Sequence, residues 1–228
     1  MNELEKFNKE CSDELLSQGN DSILQEITKK WVSASFDKKY PYHFTSLGRP
    51  IIQYPQDIVA IQEIIWRVKP DLIVETGIAH GGSLILSASM LAQLDMVEAI
   101  ESGKMLDPSN SKRKVLGIDI DIRDHNKRAI DNHPMSNRIE MIQGSSVDPE
   151  IIRQVKNIAR NFKSILVMLD SNHTHDHVLA ELKAYADLVT IDSYCVVFDT
   201  IVEDMPNNTY PDRPWGPGLH QACSRPSI

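Results

Sequence analysis

The stretch that most restricts how this chain folds is Glu75-Thr76-Gly77-Ile78-Ala79-His80-Gly81-Gly82-Ser83, placed directly after Asp71-Leu72-Ile73-Val74. An apolar strand runs into a carboxylate and three glycines. Leu84-Ile85-Leu86 and Met90-Leu91 then open a helical pattern. A strand, a glycine turn and a helix form the unit with which a parallel α/β sheet brings its backbone close to a nucleotide-like ligand. Glycines suit that task because they tolerate positive φ and leave no Cβ in the way. The plainer alternative is a glycine turn that only lets a helix pack on a strand.

The spacing narrows the ligand. A nicotinamide or flavin loop has G-x-G-x-x-G, whereas these glycines fall as G-x-x-x-G-G behind an acid. No lysine follows the second glycine, so a triphosphate loop is absent too. An acid where a pyrophosphate would approach suits a cationic ligand without phosphate, and S-adenosylmethionine is one. Lys114-Val115-Leu116-Gly117-Ile118-Asp119 reads as the next strand, and an acid ending the second strand of such a sheet takes ribose hydroxyls. Asp119 is the candidate, roughly 40 residues past the glycines where about 20 is usual. The excess is a polar insert, Glu98 to Arg113, expected as a surface loop.

Further along, apolar runs alternate with helical patterns. Helices are expected over 21–33, 57–68, 124–132, 149–162 and 178–185, and strands over 138–143, 164–169 and 193–198. Five strands alternating with helices predict an α/β fold, a doubly wound and mostly parallel sheet with right-handed crossovers. Residues 1–50 are expected as an N-terminal helix and loop extension packed on the sheet edge, with a lid or dimer contact as the sharper alternative. Residues 51–205 would form the Rossmann-like catalytic domain and 206–228 an irregular tail. Tyr40, Tyr42, His43 and Trp215 read as packing or surface aromatics rather than pocket residues.

The formal net charge of −8 argues against a nucleic-acid partner, which needs a basic face. No run of about 18 apolar residues predicts a membrane span, and the first residues lack a secretory pattern. Cys11, Cys195 and Cys223 are odd in number and far apart, which fits a reducing cytosol better than a disulfide framework.

Ligands of an open parallel sheet collect outside the carboxyl ends of its strands. Those ends carry Glu75, Asp119, Ser145 and Ser146, then Asp170-Ser171-Asn172-His173-Thr174-His175-Asp176-His177, then Asp199-Thr200. Histidines alternating with acids suggest either a transition-metal loop or a solvated polar loop with a helix cap. Asp170 and Asp199 each follow an apolar strand. Two carboxylates on neighbouring strand ends suit Mg²⁺, which keeps several of its waters. His173 is placed to act as general base on a hydroxyl held there.

Taken as a set, these motifs resemble the cephalosporin hydroxylase and rhamnosyl O-methyltransferase family, over roughly residues 30 to 216. The resemblance rests on Gln53-Tyr54-Pro55-Gln56-Asp57, Glu75-Thr76-Gly77 with His80-Gly81-Gly82-Ser83, Gly117-Ile118-Asp119, Leu169-Asp170-Ser171-Asn172-His173-Thr174-His175, and Val197-Phe198-Asp199-Thr200. It implies metal-assisted methyl transfer from S-adenosylmethionine to a hydroxyl, often on a sugar, with a small-molecule acceptor from lipid, polysaccharide or secondary metabolism. It also implies that Glu75, Gly77, Gly81, Gly82, Ser83, Asp119, Ser145 and Ser146 hold the cofactor, that Asp170 and Asp199 are metal ligands, and that His173 is the base. Two departures stand out. Metal-dependent relatives carry an acidic pair where this chain has Phe198-Asp199, and the family continues after residue 216 through a helix and a final strand pair that residues 219–228 do not resemble. The loss of two edge strands would expose a sheet edge, which with the N-terminal arm is compatible with self-association. Two other readings are a metal-dependent hydroxylase, with His173, His175 and Asp170 as an iron triad, and a catalytically impaired cofactor-binding relative.

Overall fold

A computed structural model of the chain describes residues 2–205. Its centre is a parallel five-stranded sheet made of β3 (Leu72–Thr76), β4 (Lys114–Asp119), β5 (Ile139–Gln143), β6 (Ile165–Leu169) and β7 (Cys195–Val197), in the order β5-β4-β3-β6-β7. The chain starts in the middle, winds outward through β4 and β5, then returns to the other side of β3 for β6 and β7. This order leaves a crevice at the carboxyl ends, where the winding reverses. The doubly wound parallel sheet expected from the sequence is therefore present.

The two central strands explain why the sheet is parallel and covered on both faces. Every residue of β3 and of β6 is buried, which is what near-continuous apolar runs such as Leu72-Ile73-Val74 and Ile165-Leu166-Val167-Met168-Leu169 require. Alternate residues face opposite ways. Ile73, Leu166 and Met168 pack with α3 (Pro55–Val68), α4 (Gly82–Ser102) and α5 (Asp124–Asp131) through Ile65, Leu84, Leu91 and Ile130. Leu72, Val74, Val167 and Leu169 pack with α6 (Pro149–Ala159) and α7 (His175–Tyr185) through Val155, Ala159 and Tyr185.

Several elements differ from expectation. Helix α4 runs to Ser102 and stops at Gly103, whose φ of 64° gives a left-handed cap. The insert from Glu98 is thus partly helix, and its far end is tied down. Asp95 of α4 accepts from Arg113, Arg138 and Ser111, with Arg138 itself buried. By length and composition alone α4 is apolar enough to cross a membrane, a test that core helices also pass. Its Leu84, Ile85, Ala88, Leu91 and Leu94 are instead buried against the sheet and α3. Helix α7 begins at His175, three residues early, so His175 and His177 sit in its first turn and not in a loop.

The N-terminal region also contains more structure than expected. Helix α1 (Glu3–Asn20) opens with a capping box between Asn2 and Glu5, and α2 (Ser22–Asp37) is capped by Asp21. Neither helix buries a residue outright, but the second half of α2 packs through Trp31 on Tyr40 and Tyr54, and Ser35 shares a hydrogen bond with the Tyr54 hydroxyl. A hairpin of β1 (Phe44–Ser46) and β2 (Arg49–Ile51) crosses the expected 50/51 boundary. Leu47 and Gly48 make its turn, both at positive φ, and the hairpin lies on the start of α4. The expected tail at 206–228, with Trp215 and Cys223, lies outside the described residues.

Candidate active site

A cavity of about 550 Å³ opens at the carboxyl ends of β3, β4, β5 and β6, within the 300–1,000 Å³ range of small-molecule pockets. Its walls include Gly77, Gly82 and Ser83 of the glycine turn, Asp119, Ser145, Ser146 and Asp170. The sequence placed these seven at one site, and the structure brings them together. The same walls carry three carboxylates, Asp119, Asp121 and Asp170, against one guanidinium, Arg123. That balance favours a cationic ligand over a phosphate.

Asp119 does more than face the cavity. One carboxylate oxygen accepts the amides of Ile78 and Ala79 at 2.7 and 3.2 Å, and the other accepts the amide of Asp121 at 3.0 Å. The end of β4 therefore fixes the glycine turn of β3. A carboxylate offers about four acceptor sites, so it retains capacity for ligand hydroxyls. From outside, Arg49 donates twice to the carbonyl of His80, at 3.0 and 2.5 Å, and once to Asn126. The buried Asn126 donates to the carbonyl of Ala79 at 2.9 Å. Neither Arg49 nor Asn126 was legible as a site residue, because each reaches the turn across a long sequence separation.

The glycines meet protein rather than open space. A Cβ on Gly77 (φ 88°) would lie 2.1 Å from the carbonyl oxygen of Asp170, and one on Gly82 would lie 2.2 Å from that of Pro50. Gly81 caps α4 at φ 83° beneath Ile130 and does not line the cavity. Glu75 is likewise behind the wall. Its side chain is fully buried, one oxygen accepts from the Ser83 hydroxyl, and the other has no partner among the described residues. Burial pushes its carboxyl up to about 8, with the Ser83 bond pulling the other way. Glu75 thus reaches the cavity only through Ser83.

At the far wall, Ser146 and Ser171 both approach His177 Nε2, at 3.1 and 3.2 Å, and Glu181 lies 3.4 Å from the same nitrogen. A serine–histidine–acid relay needs the acid on the other ring nitrogen. This group is therefore a buried polar clamp, completed by the Tyr185 hydroxyl donating to the carbonyl of Ser146.

The acids at the β6 and β7 ends form a second focus. The Asp170 amide donates to the carbonyl of Thr76, and the Phe198 amide to that of Leu169, which sets Asp170 and Asp199 side by side. Asp170, His173 and Asp199 offer ligand atoms all within 4.8 Å of one another. His173 Nε2 is 3.1 Å from Asp199. The Asp170 carboxyl is held well above the usual carboxylate range, first by burial and then by the charges of Asp199 and Glu75, while a hydrogen bond from Gln53 opposes this. Asp57 is raised in the same sense, by burial and by Asp199. Carboxylates that raise one another in this way fit a bound cation. Phe198, at the position of the expected second acid, is buried in the core beneath α3 and α4.

Three expectations shift here. His173 is 7% exposed and lies beside Asp199 rather than among the residues that line the cavity. His175 bonds Asp176 in the first turn of α7 and is not part of the cluster, so among the described residues no two-histidine iron triad is assembled. Tyr42, read as packing, borders the cavity.

Residues 38–224 match the family model described as Rhamnosyl O-methyltransferase/CmcI. The rhamnosyl O-methyltransferase of Mycobacterium bovis (strain BCG / Pasteur 1173P2) is 30% identical over 214 residues, covering 92% of this chain and 75% of that protein. Its counterpart in Mycobacterium leprae (strain TN) is 27% identical, covering 93% and 81%. Among solved structures, the SAH complex titled cmcI-N160 aligns over 69% of this chain and 67% of its own, at 16% identity and a TM-score of 0.43. The MycE methyltransferase from the mycinamycin biosynthetic pathway, in complex with Mg and SAH, aligns over 69% of this chain at 19% identity and a TM-score of 0.40. The chain spans about a third (34%) of the MycE chain.

Proposed function

The chain belongs to the Rhamnosyl O-methyltransferase/CmcI family of S-adenosylmethionine-dependent O-methyltransferases, and on that premise we propose that it methylates a hydroxyl of a sugar, glycolipid or related small molecule with help from a divalent cation. The observation that carries this reading is a single cavity bounded by the Gly77–Ser83 turn and Asp119 at one side and by Asp170 at the other. Cofactor and acceptor would then meet at Asp170.

The residues fit the cofactor. Ser83 and the turn, Asp119, and Ser145 with Ser146 line a cavity of the right size, rich in carboxylates. When bound, S-adenosylmethionine supplies an activated methyl group and a leaving thioether. The chain's part is positioning, since alignment of the reacting atoms accounts for much of the rate of such a displacement. Asp119 and Asn126 hold the turn in one shape before any ligand arrives.

The residues also fit a divalent cation, which would be held by Asp170 and Asp199 and would lower the pKa of a bound hydroxyl. Asp170, expected as a metal ligand, borders the cavity, and His173, expected as the base, lies beside Asp199. A rhamnoside is the first acceptor to try, because the relatives carry the name rhamnosyl O-methyltransferase.

The test is calorimetric titration of the full chain with S-adenosylmethionine, with and without Mg²⁺, followed by methyl transfer to a panel of simple rhamnosides and other glycosides. Micromolar cofactor binding that Asp119→Ala weakens, and methyl transfer lost in Asp170→Ala, are expected. A folded protein that binds no S-adenosylmethionine would remove the proposal.

A further inference from the structure

The sequence suggests an all-oxygen Mg²⁺ site. The side chains assembled at the β6 and β7 ends are different. Two carboxylates and one imidazole, from Asp170, Asp199 and His173, present donor atoms within 4.8 Å of one another. The geometry points to His173 as a nitrogen ligand of the divalent cation, completing a three-residue site that prefers a borderline metal such as Co²⁺, Zn²⁺ or Mn²⁺ over Mg²⁺. This rests on the reading above that a divalent cation sits at this sheet edge.

Three observations support it. First, His173 is held where a ligand must be. It is 7% exposed, and its Nε2 lies 3.1 Å from Asp199, on the same carboxylate that would share the cation. Second, neither His173 nor Asp199 lines the cavity, so the imidazole lies with the carboxylate that would hold the cation. Third, a neighbouring group has unused capacity. Gln53 is 7% exposed and lines the cavity, its side chain hydrogen-bonds Asp170, and its Oε1 has no partner among the described residues. A buried acceptor left unpaired costs about 1–3 kcal/mol, and a cation-bound water is a donor that would satisfy it.

The donor set decides which metal. Mg²⁺ demands oxygen donors and octahedral geometry, and dehydrates reluctantly. Imidazole suits later first-row metals, whose affinity for a given nitrogen–oxygen site rises from Mn²⁺ through Co²⁺. Phe198, buried in the core, offers no donor, so the imidazole is the third protein group that these strand ends supply among the described residues.

The experiment uses the full chain. Calorimetric titrations with Co²⁺, Mn²⁺ and Mg²⁺ would be run on the wild type, His173→Ala, His173→Gln and Asp170→Asn. Electron spin echo spectra of the Mn²⁺-loaded wild type would be recorded alongside. The expected result is Co²⁺ binding at least tenfold tighter than Mg²⁺, a ¹⁴N coupling on the Mn²⁺ signal, and a loss of Co²⁺ affinity of at least tenfold in His173→Ala, as removing even an outer partner of a ligand costs 10- to 100-fold. Mg²⁺ affinity should fall less, so the Co²⁺/Mg²⁺ ratio narrows. The spectrum of the wild type needs no variant and stands even where His173→Ala fails to fold. Metal binding that needs Asp170 but shows no nitrogen coupling and ignores His173 would overturn the inference while leaving the divalent-cation reading intact. No metal binding by a protein that still binds S-adenosylmethionine would overturn both.

Discussion

Glu75→Gln should make the protein more stable near neutral pH and remove part of its pH dependence. Glu75 is 0% exposed, and its second oxygen has no partner among the described residues. Burial raises its pKa from 4.5 to about 8, so the folded state binds its proton more tightly than the unfolded chain does. The sign follows from linkage. The benefit of that proton is complete below pH 4.5, declines as pH rises, and is gone above pH 8. At 1.36 kcal/mol for each pH unit, the loss between pH 4.5 and pH 7 is about 3 kcal/mol, and about 5 kcal/mol by pH 8. A typical domain has only about 5–15 kcal/mol in total.

Glutamine has nearly the same shape, keeps the oxygen that accepts from Ser83, and carries no charge. Urea unfolding in EDTA, at pH steps from 4 to 8.5, should give equal stabilities for wild type and Glu75→Gln at pH 4. The two should separate by about 3 kcal/mol at pH 7. EDTA keeps a cation at Asp170 from altering the comparison, and Asp170, raised in the same direction, adds its own slope to both proteins. Parallel curves across the whole range would refute the argument that Glu75 is buried with its proton. Titration of S-adenosylmethionine on the same variant should show less than a tenfold loss (about 1.4 kcal/mol), because the carboxyl acts through Ser83 and is not on the cavity wall.

Three other outcomes can be stated. Gly77→Ala should cost about 2–4 kcal/mol in denaturant midpoint measurements, from the left-handed φ of 88° and a Cβ driven against the Asp170 carbonyl, and wild-type stability would contradict the close approach. Asn126→Ala should cost about 1–3 kcal/mol and weaken S-adenosylmethionine binding without altering metal affinity, since it unties the glycine turn and leaves the Asp170 cluster alone; a calorimetric result with the opposite pattern would be evidence against that division. Saturating Co²⁺ or Mn²⁺, at about 100 times its Kd, should raise wild-type stability by about 2.7 kcal/mol and leave Asp170→Asn nearly unmoved, as followed by thermal melts.

What the sequence made legible was whatever periodicity or strand position encodes. Buried parallel strands read as apolar runs, so β3, β4 and β6 and the polar residues at their ends were found, and Asp119, Ser145, Ser146 and Asp170 do share a cavity. Helix α1 was missed although Asn2 and Glu5 carry its capping box, because its apolar residues Leu4, Phe7, Leu15 and Leu16 stay exposed and form no dense core stripe. The start of α7 was misplaced because Thr174 at its N-cap makes no side-chain capping bond, and a polar first turn looks like a loop. Arg49 and Asn126 carry no local signal at all, and Gln53 stood out only as part of the motif Gln53-Tyr54-Pro55-Gln56-Asp57, with no contact assigned to it. Their contributions exist only once the hairpin and α5 have docked on the glycine turn.

The same docking changes what the glycines mean. In the sequence, Gly77, Gly81 and Gly82 suggest room for a ligand. In the structure the space a side chain would take is filled by the Asp170 carbonyl, by Ile130 of α5 and by the Pro50 carbonyl of the hairpin. Three segments distant in sequence therefore close on one turn, each at a position where a Cβ would hold it off. Asp170 is brought to the β3 end by this approach, and Pro50 sits three residues before Gln53, whose side chain bonds Asp170. The glycines thus shape the Asp170 cluster as well as the cavity wall. Their spacing matches the segments that close on this turn, whereas in a pyrophosphate-binding loop the glycines let the backbone approach a ligand.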